Sequence, residues 1–136
     1  MDRIIKFRGF NEKQDKWLYG YYLVNGGKHY IIEDKSDNGD FVLSEDFIVE
    51  ADSVGQFTGL RDSSGWELYE GDMISNRMSA FIVEHNNENN CFVATTFKEP
   101  TKKFRLLQFW LNDSETVAVD NIFENPKILA FHNNGK

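Results

Sequence analysis

The sequence predicts a mainly β chain of short, closely spaced strands with little helix, and three observations carry that reading. Apolar runs alternate with clusters of Gly, Asn, Asp and Ser, the pattern of strands bounded by turns. Aromatic residues make up 15% of the chain, Phe far ahead of Tyr and Trp, and such rings suit half-buried pleated surfaces. No window of about twelve residues sustains the three-to-four spacing of a helix free of Gly and β-branched clusters.

In chain order, Arg3 to Phe10 alternates Lys6 and Arg8 against Ile5 and Phe7, which predicts a strand with Lys6 and Arg8 on its wet face. Asn11 to Lys16 is turn-like, and Trp17 to Val24 is an aromatic strand, so a hairpin joins the two. Gly20 inside that run marks a bulge or a close backbone contact. Asn25-Gly26-Gly27 is a strong turn signal, since Asn and Gly accept positive φ at little cost, and His29 to Ile32 resumes a strand. A meander is the economical arrangement.

Asp34 to Asp40 reads as a loop, Phe41-Val42-Leu43 as a short apolar element, and Ser44-Glu45-Asp46 leads to Phe47-Ile48-Val49. Arg61 to Gly65 is a turn between two apolar segments, and Gly71-Asp72 forms a tight corner into Met73-Ile74. Phe81 to His85 and Cys91 to Thr95 flank the polar Asn86 to Asn90, as a hairpin does. Phe104, Leu107, Gln108 and Leu111 could line a helix, although a strand is favoured there. Val117-Ala118-Val119 is a final strand, with Asp120 or Asn121 capping a brief turn through Phe123. Any division of the 136 residues is soft, the best being 1–53 as an N-terminal meander and 54–136 as a small barrel.

A chain of 136 residues can bury a real core without a metal or disulfide staple. Its formal net charge of −7, spread along the chain, weakens a nucleic-acid reading, because phosphate binding draws on clustered Lys and Arg. The one basic cluster contains Lys98, Lys102, Lys103 and Arg105, with Glu99 interrupting it. It reads first as the wet face of a strand and second as a phosphate track. The single cysteine, Cys91, cannot make an intramolecular disulfide, and Asp2, Arg3 and Lys6 interrupt any apolar signal core. No apolar run approaches the roughly 20 residues of a membrane span, so a cytoplasmic protein without membrane association is expected.

Three blocks carry a family signature. Val54 to Asp62, including Gly55, Gln56, Thr58 and Gly59, is followed by Gly65 and then Glu67-Leu68-Tyr69-Glu70-Gly71-Asp72-Met73-Ile74. The opening Ile5 to Phe10 with Trp17 and Tyr19-Gly20, and the close Asn121-Ile122-Phe123-Glu124-Asn125-Pro126, complete it. Together they resemble the YopX family of phage and prophage proteins. The resemblance implies a largely β protein with an SH3-like barrel on which the N-terminal meander packs, expressed in a host bacterium and often oligomeric. It implies no reaction and no catalytic residue. Read physically, the glycines sit where tight turns need them, Tyr69 offers apolar bulk, and Asp62 and Asp72 can accept bonds from turn amides.

Catalytic constellations are weak. His29, His85 and His132 are far apart and lack partners at metal-ligand spacing, so neither metal nor other cofactor is expected. Cys91 with His85 could form a nucleophile and base, yet the run into Phe92-Val93-Ala94 favours a core thiol. Glu67, Glu70 and Asp72 are the densest acidic group, more suited to decorating a loop than to acid–base work. No phosphate-loop, dinucleotide or nucleophile-elbow motif is present.

Trp17, Tyr19, Tyr21 and Tyr22 crowd one strand, whose faces then pack within the chain or meet another subunit. The leading expectation is a non-enzymatic accessory protein that self-associates and contacts a phage or host protein. A single-stranded nucleic-acid-binding barrel using Lys102, Lys103 and Arg105 comes second, and a small-molecule enzyme third.

Overall fold

The computed structural model describes residues 4–33, 43–97 and 102–125. The described residues form two antiparallel sheets and one short α-helix, so the chain is mainly β, as its composition predicts. Both sheets are open, and no closed barrel is formed among the described residues. The chain divides into two compact units, Met1–Phe57 and Thr58–Lys136.

The first unit is a meander. Strands β1 (Phe7–Asn11), β2 (Lys16–Asn25), β3 (Lys28–Ile32) and β4 (Ile48–Val49) lie in the order β4-β3-β2-β1, and the start of β5 (Gly55–Arg61) adds to β1. Phe7 faces Gly20 and Asn11 faces Lys16 across the first hairpin. Asn25 faces Lys28 across the second, whose two-residue loop, Gly26-Gly27, has φ of +61° and +77°. Two successive positive φ values define the primed turn that matches strand twist, which explains why glycines stand there. Gly20 has a different reason: a Cβ on it would run into the Ile32 carbonyl of β3, so β2 and β3 approach as closely as they do only with glycine there. Leu18, Ile31 and Val49 form the core, with Phe7, Tyr22 and Val54 packed on it.

The wet and buried faces predicted for β1 do not separate: Phe7 packs on the core as expected, but Arg8, assigned to the wet face, is buried too. Arg8 is buried and its guanidinium lies 4.8 Å from the Trp17 ring centre, whereas Ile5 is exposed. A planar guanidinium can stack on an indole face and so occupy a sheet face that hydropathy alone assigns to solvent. Asp34 to Asp40, with Phe41 and Val42, lie outside the described residues, and Ser44 caps a single 3-10 turn over Glu45–Phe47 that leads into β4.

In the second unit β6 (Glu67–Tyr69) neighbours β5, and a five-stranded sheet runs β10-β9-β8-β7-β11. Its strands are β7 (Asp72–Ser75), β8 (Ala80–Asn86), β9 (Cys91–Thr96), β10 (Lys103–Arg105) and β11 (Val117–Asn121). The β8–β9 hairpin closes with Asn86 opposite Cys91, as its polar connection predicts. Leu68, Ile74, Phe81, Val83, Ala94, Leu106 and Leu111 form the core.

The segment favoured as one strand over Phe104 to Leu111 is two elements: β10 ends at Arg105, and helix α1 spans Gln108–Asp113. Phe104 packs edge-on against Phe81 at 6.1 Å, and Trp110 does the same at 5.4 Å, so one core ring holds strand and helix. The Gln108 carboxamide fixes where the helix starts. Its Oε1 accepts from the Arg61 amide at 2.9 Å and its Nε2 donates to the Arg61 carbonyl at 2.6 Å, so it bonds the end of β5 as a neighbouring strand would.

Candidate functional site

The aromatic strand β2 separates by face. Trp17 packs edge-on against Phe10 at 5.5 Å and carries Arg8, while Tyr22, on the opposite face, stacks on His29 and shares a 2.7 Å hydrogen bond with its Nδ1. Both rings are half-buried within the first unit. Tyr19 and Tyr21 are 44% and 59% exposed, and Leu23, next on the same face, is 36% exposed. Strand alternation therefore leaves a stripe of two phenols and one leucine standing out from the sheet.

The signature block consists largely of backbone ties. Asp62, 3% exposed, accepts from the amides of Ser64 and Trp66 through Oδ1 and from Ala118 through Oδ2, all within 3.0 Å. It thereby closes the β5–β6 turn and pins β11. Thr58 Oγ1 donates to the Leu68 carbonyl at 2.9 Å and accepts from Leu60, while Asp72 Oδ2 accepts from the Tyr69 amide at 2.8 Å. Gly59, Gly65 and Gly71 have positive φ, whereas Gly55 is a buried strand residue opposite Arg8 and Gln56 stands opposite Phe7. Asn121 Oδ1 accepts from Glu124 at 2.9 Å, and Asn125 reaches Asp120 at 3.2 Å. Pro126 lies outside the described residues.

The groups weighed for catalysis do not converge. Glu67 accepts from the Tyr69 hydroxyl at 2.9 Å and lies 3.5 Å from Arg61, Asp72 is buried on its amide, and Glu70 is half-buried. His85 faces Phe92 and Asn86 faces Cys91, so alternation sends His85 and Cys91 to opposite faces of the hairpin. Cys91 is half-buried at the start of β9 and is not a core thiol, because alternation puts it on the face of the sheet opposite Val83 and Ala94, which belong to the core. His29 is held by Tyr22, and His85 lies between Asn87 Oδ1 and Asn90 Oδ1, at 2.7 and 3.2 Å. His132 lies outside the described residues. Among the described residues no three His, Cys, Asp or Glu side chains are grouped to hold a metal, and no helix is long and apolar enough to cross a membrane.

The basic cluster also separates by face. Lys103 and Arg105, two apart on β10, line an open depression of about 450 Å³ together with Asn86, Asn89, Asn90, Cys91 and Val93. Exposed Lys102 is not among its walls, and Lys98 lies outside the described residues.

Two further residues matter: Asn11, which the sequence reads only as part of a polar turn, and Thr116, which no sequence signal singles out. Asn11 is buried, donates from Nδ2 to the carbonyls of Asp46 at 3.0 Å and Ile48 at 2.8 Å, and accepts from the Gln14 amide at 2.7 Å. Thr116 is buried between Asn76 Nδ2 at 3.0 Å and the Ser114 hydroxyl at 2.6 Å. Short polar residues at strand ends serve equally well in solvent or as buried ties, and only a bonding partner distant in sequence separates the two cases.

No curated protein matches the chain. Among solved structures, the crystal structure of protein EF1440 from Enterococcus faecalis aligns over 94% of this chain and 99% of that one, with a TM-score of 0.54 and 20% identity. At that identity the likeness shows a shared fold and nothing further. The family described as "YopX protein" matches residues 6–130, which takes in the central and closing blocks of the signature and all of the opening one but Ile5, and the chain therefore belongs to the YopX family.

Proposed function

We propose that this YopX-family chain is a non-enzymatic accessory protein of a phage or prophage that works through protein contacts, first of all with a second copy of itself. The observation that carries the reading is the Tyr19, Tyr21 and Leu23 stripe on β2. Tyrosines are favoured anchors of protein interfaces, since each brings a large rigid ring with few torsions and a hydroxyl that can bond across the contact. A two-fold pairing would set the stripe against its own copy, so one surface supplies both halves of the interface. The phage setting is what the family resemblance implies. The non-enzymatic part rests on the separation of His85 from Cys91 and on the engagement of Glu67 and Asp72 in structural bonds.

Sedimentation equilibrium of the full chain tests the reading. A mass above the 15.8 kDa monomer is expected, falling towards the monomer in Tyr19→Ser/Tyr21→Ser. A wild-type protein that stays monomeric at millimolar concentration would sink the self-association, as would a double variant that associates unchanged.

A further inference from the structure

We infer that the depression at the end of the β8–β9 hairpin is a binding site for a small phosphorylated anion, with Lys103 and Arg105 as its charged contacts. In a chain of 22 acidic residues, these two cations lie side by side and make no ion pair among the described residues. Their arrangement follows from register. Arg105 faces Val93 and Lys103 faces Thr95, so both side chains rise from one face of the sheet about 7 Å apart at the backbone, close enough for two long side chains to meet one phosphoryl or diphosphoryl group.

The walls add donors. Asn86 Oδ1 accepts from the amides of Glu88 and Asn89, at 2.9 and 3.3 Å, which fixes the orientation of the carboxamide and leaves Nδ2 without an acceptor among the described residues. The arrangement offers positive charge and N–H groups, the chemistry that phosphoryl oxygens need. Its volume of about 450 Å³ lies within the range of small-molecule sites, and Cys91 and Val93 supply a small apolar floor.

Glu84 lies on the same face, opposite Val93, and Glu88 lies in the connection, so the surrounding field is not strongly positive. That favours a compact ligand touching both cations over a polyanion that depends on a long basic track. Guanidinium geometry assigns the roles: Arg105 can bind two oxygens at once and Lys103 acts as a point charge.

Titration of the ¹⁵N-labelled full chain with pyrophosphate, adenosine monophosphate and a dT12 oligonucleotide is the test. Saturable shifts confined to Asn86, Asn89 to Val93 and Lys103 to Arg105 are expected with pyrophosphate or the monophosphate. Lys103→Gln and Arg105→Gln should each weaken binding about tenfold or more. Because both residues are exposed, the amide shifts of β1 to β3 should be unchanged in the variants and so report an intact fold. No saturation by 10 mM ligand, or affinity unchanged in both variants, would overturn the site. Binding of dT12 alone would also overturn it, in favour of a nucleic-acid surface.

Discussion

Asp62 and Asn11 are buried polar side chains that stand in for backbone partners. The Asp62 carboxylate collects three amides from two separate segments, Ser64 and Trp66 in its own turn and Ala118 on β11. Bonds from amides to an ionised acceptor are stronger than neutral ones, and deleting the acceptor strands the donors. Asp62→Ala should therefore lower unfolding free energy by about 3 kcal/mol in urea titration. Asp62→Asn can keep Oδ1 on the turn but sets an amide nitrogen against Ala118, so its loss should be smaller and should appear as faster hydrogen exchange in β11. A change under about 0.5 kcal/mol for Asp62→Ala, the size expected of an ordinary surface substitution, would remove Asp62 from this role. Asn11 presents the opposite polarity, donating to the carbonyls of Asp46 and Ile48. Asn11→Asp has the right shape and the wrong chemistry, turning an acceptor towards those carbonyls. It should cost about 2–4 kcal/mol, measured in the same titration.

At the scale of elements, the β2–β3 hairpin separates two uses of glycine. Gly26 and Gly27 need positive φ and meet no neighbour, whereas Gly20 has no room for a Cβ beside Ile32. Gly26→Asn should be close to neutral, since Asn-Gly is a preferred primed turn, while Gly20→Ala should lower thermal stability by an amount equivalent to about 2 kcal/mol or more. Equal losses from both would contradict the geometry. The hairpin was legible because its turn chemistry is local: Asn25-Gly26-Gly27 fixes the register without help from distant residues. The faces of β1 were not legible, because Arg8 is buried by Trp17, a residue on the next strand. Nor was the break between β10 and α1, which depends on Gln108 bonding Arg61, 47 positions earlier, and on pairing of Lys103 to Arg105 with β9. The candidate site was half legible. Lys103 and Arg105 stood out as a basic cluster, but the Asn86 to Asn90 connection showed only as polar until the register brought it beside them.

At the scale of the whole molecule, the net charge of −7 gives the two proposed contacts opposite responses to salt. Two copies meeting through Tyr19, Tyr21 and Leu23 bring like charges together, and that repulsion is long-ranged at low ionic strength. The Debye length falls from about 30 Å at 0.01 M to about 8 Å at 0.15 M, so added salt screens the repulsion while the apolar contact itself changes little. Self-association should therefore tighten as sodium chloride rises from 0.02 to about 0.3 M, read as an increase in weight-average mass by sedimentation at constant protein concentration. Phosphate at Lys103 and Arg105 is held by opposite charges and should weaken over the same range. Each measurement thus identifies its own contact: association that weakens with salt would mean that ion pairs, and not the aromatic stripe, hold the copies together. Pyrophosphate affinity that ignores salt would mean that the two cations do not bear the binding.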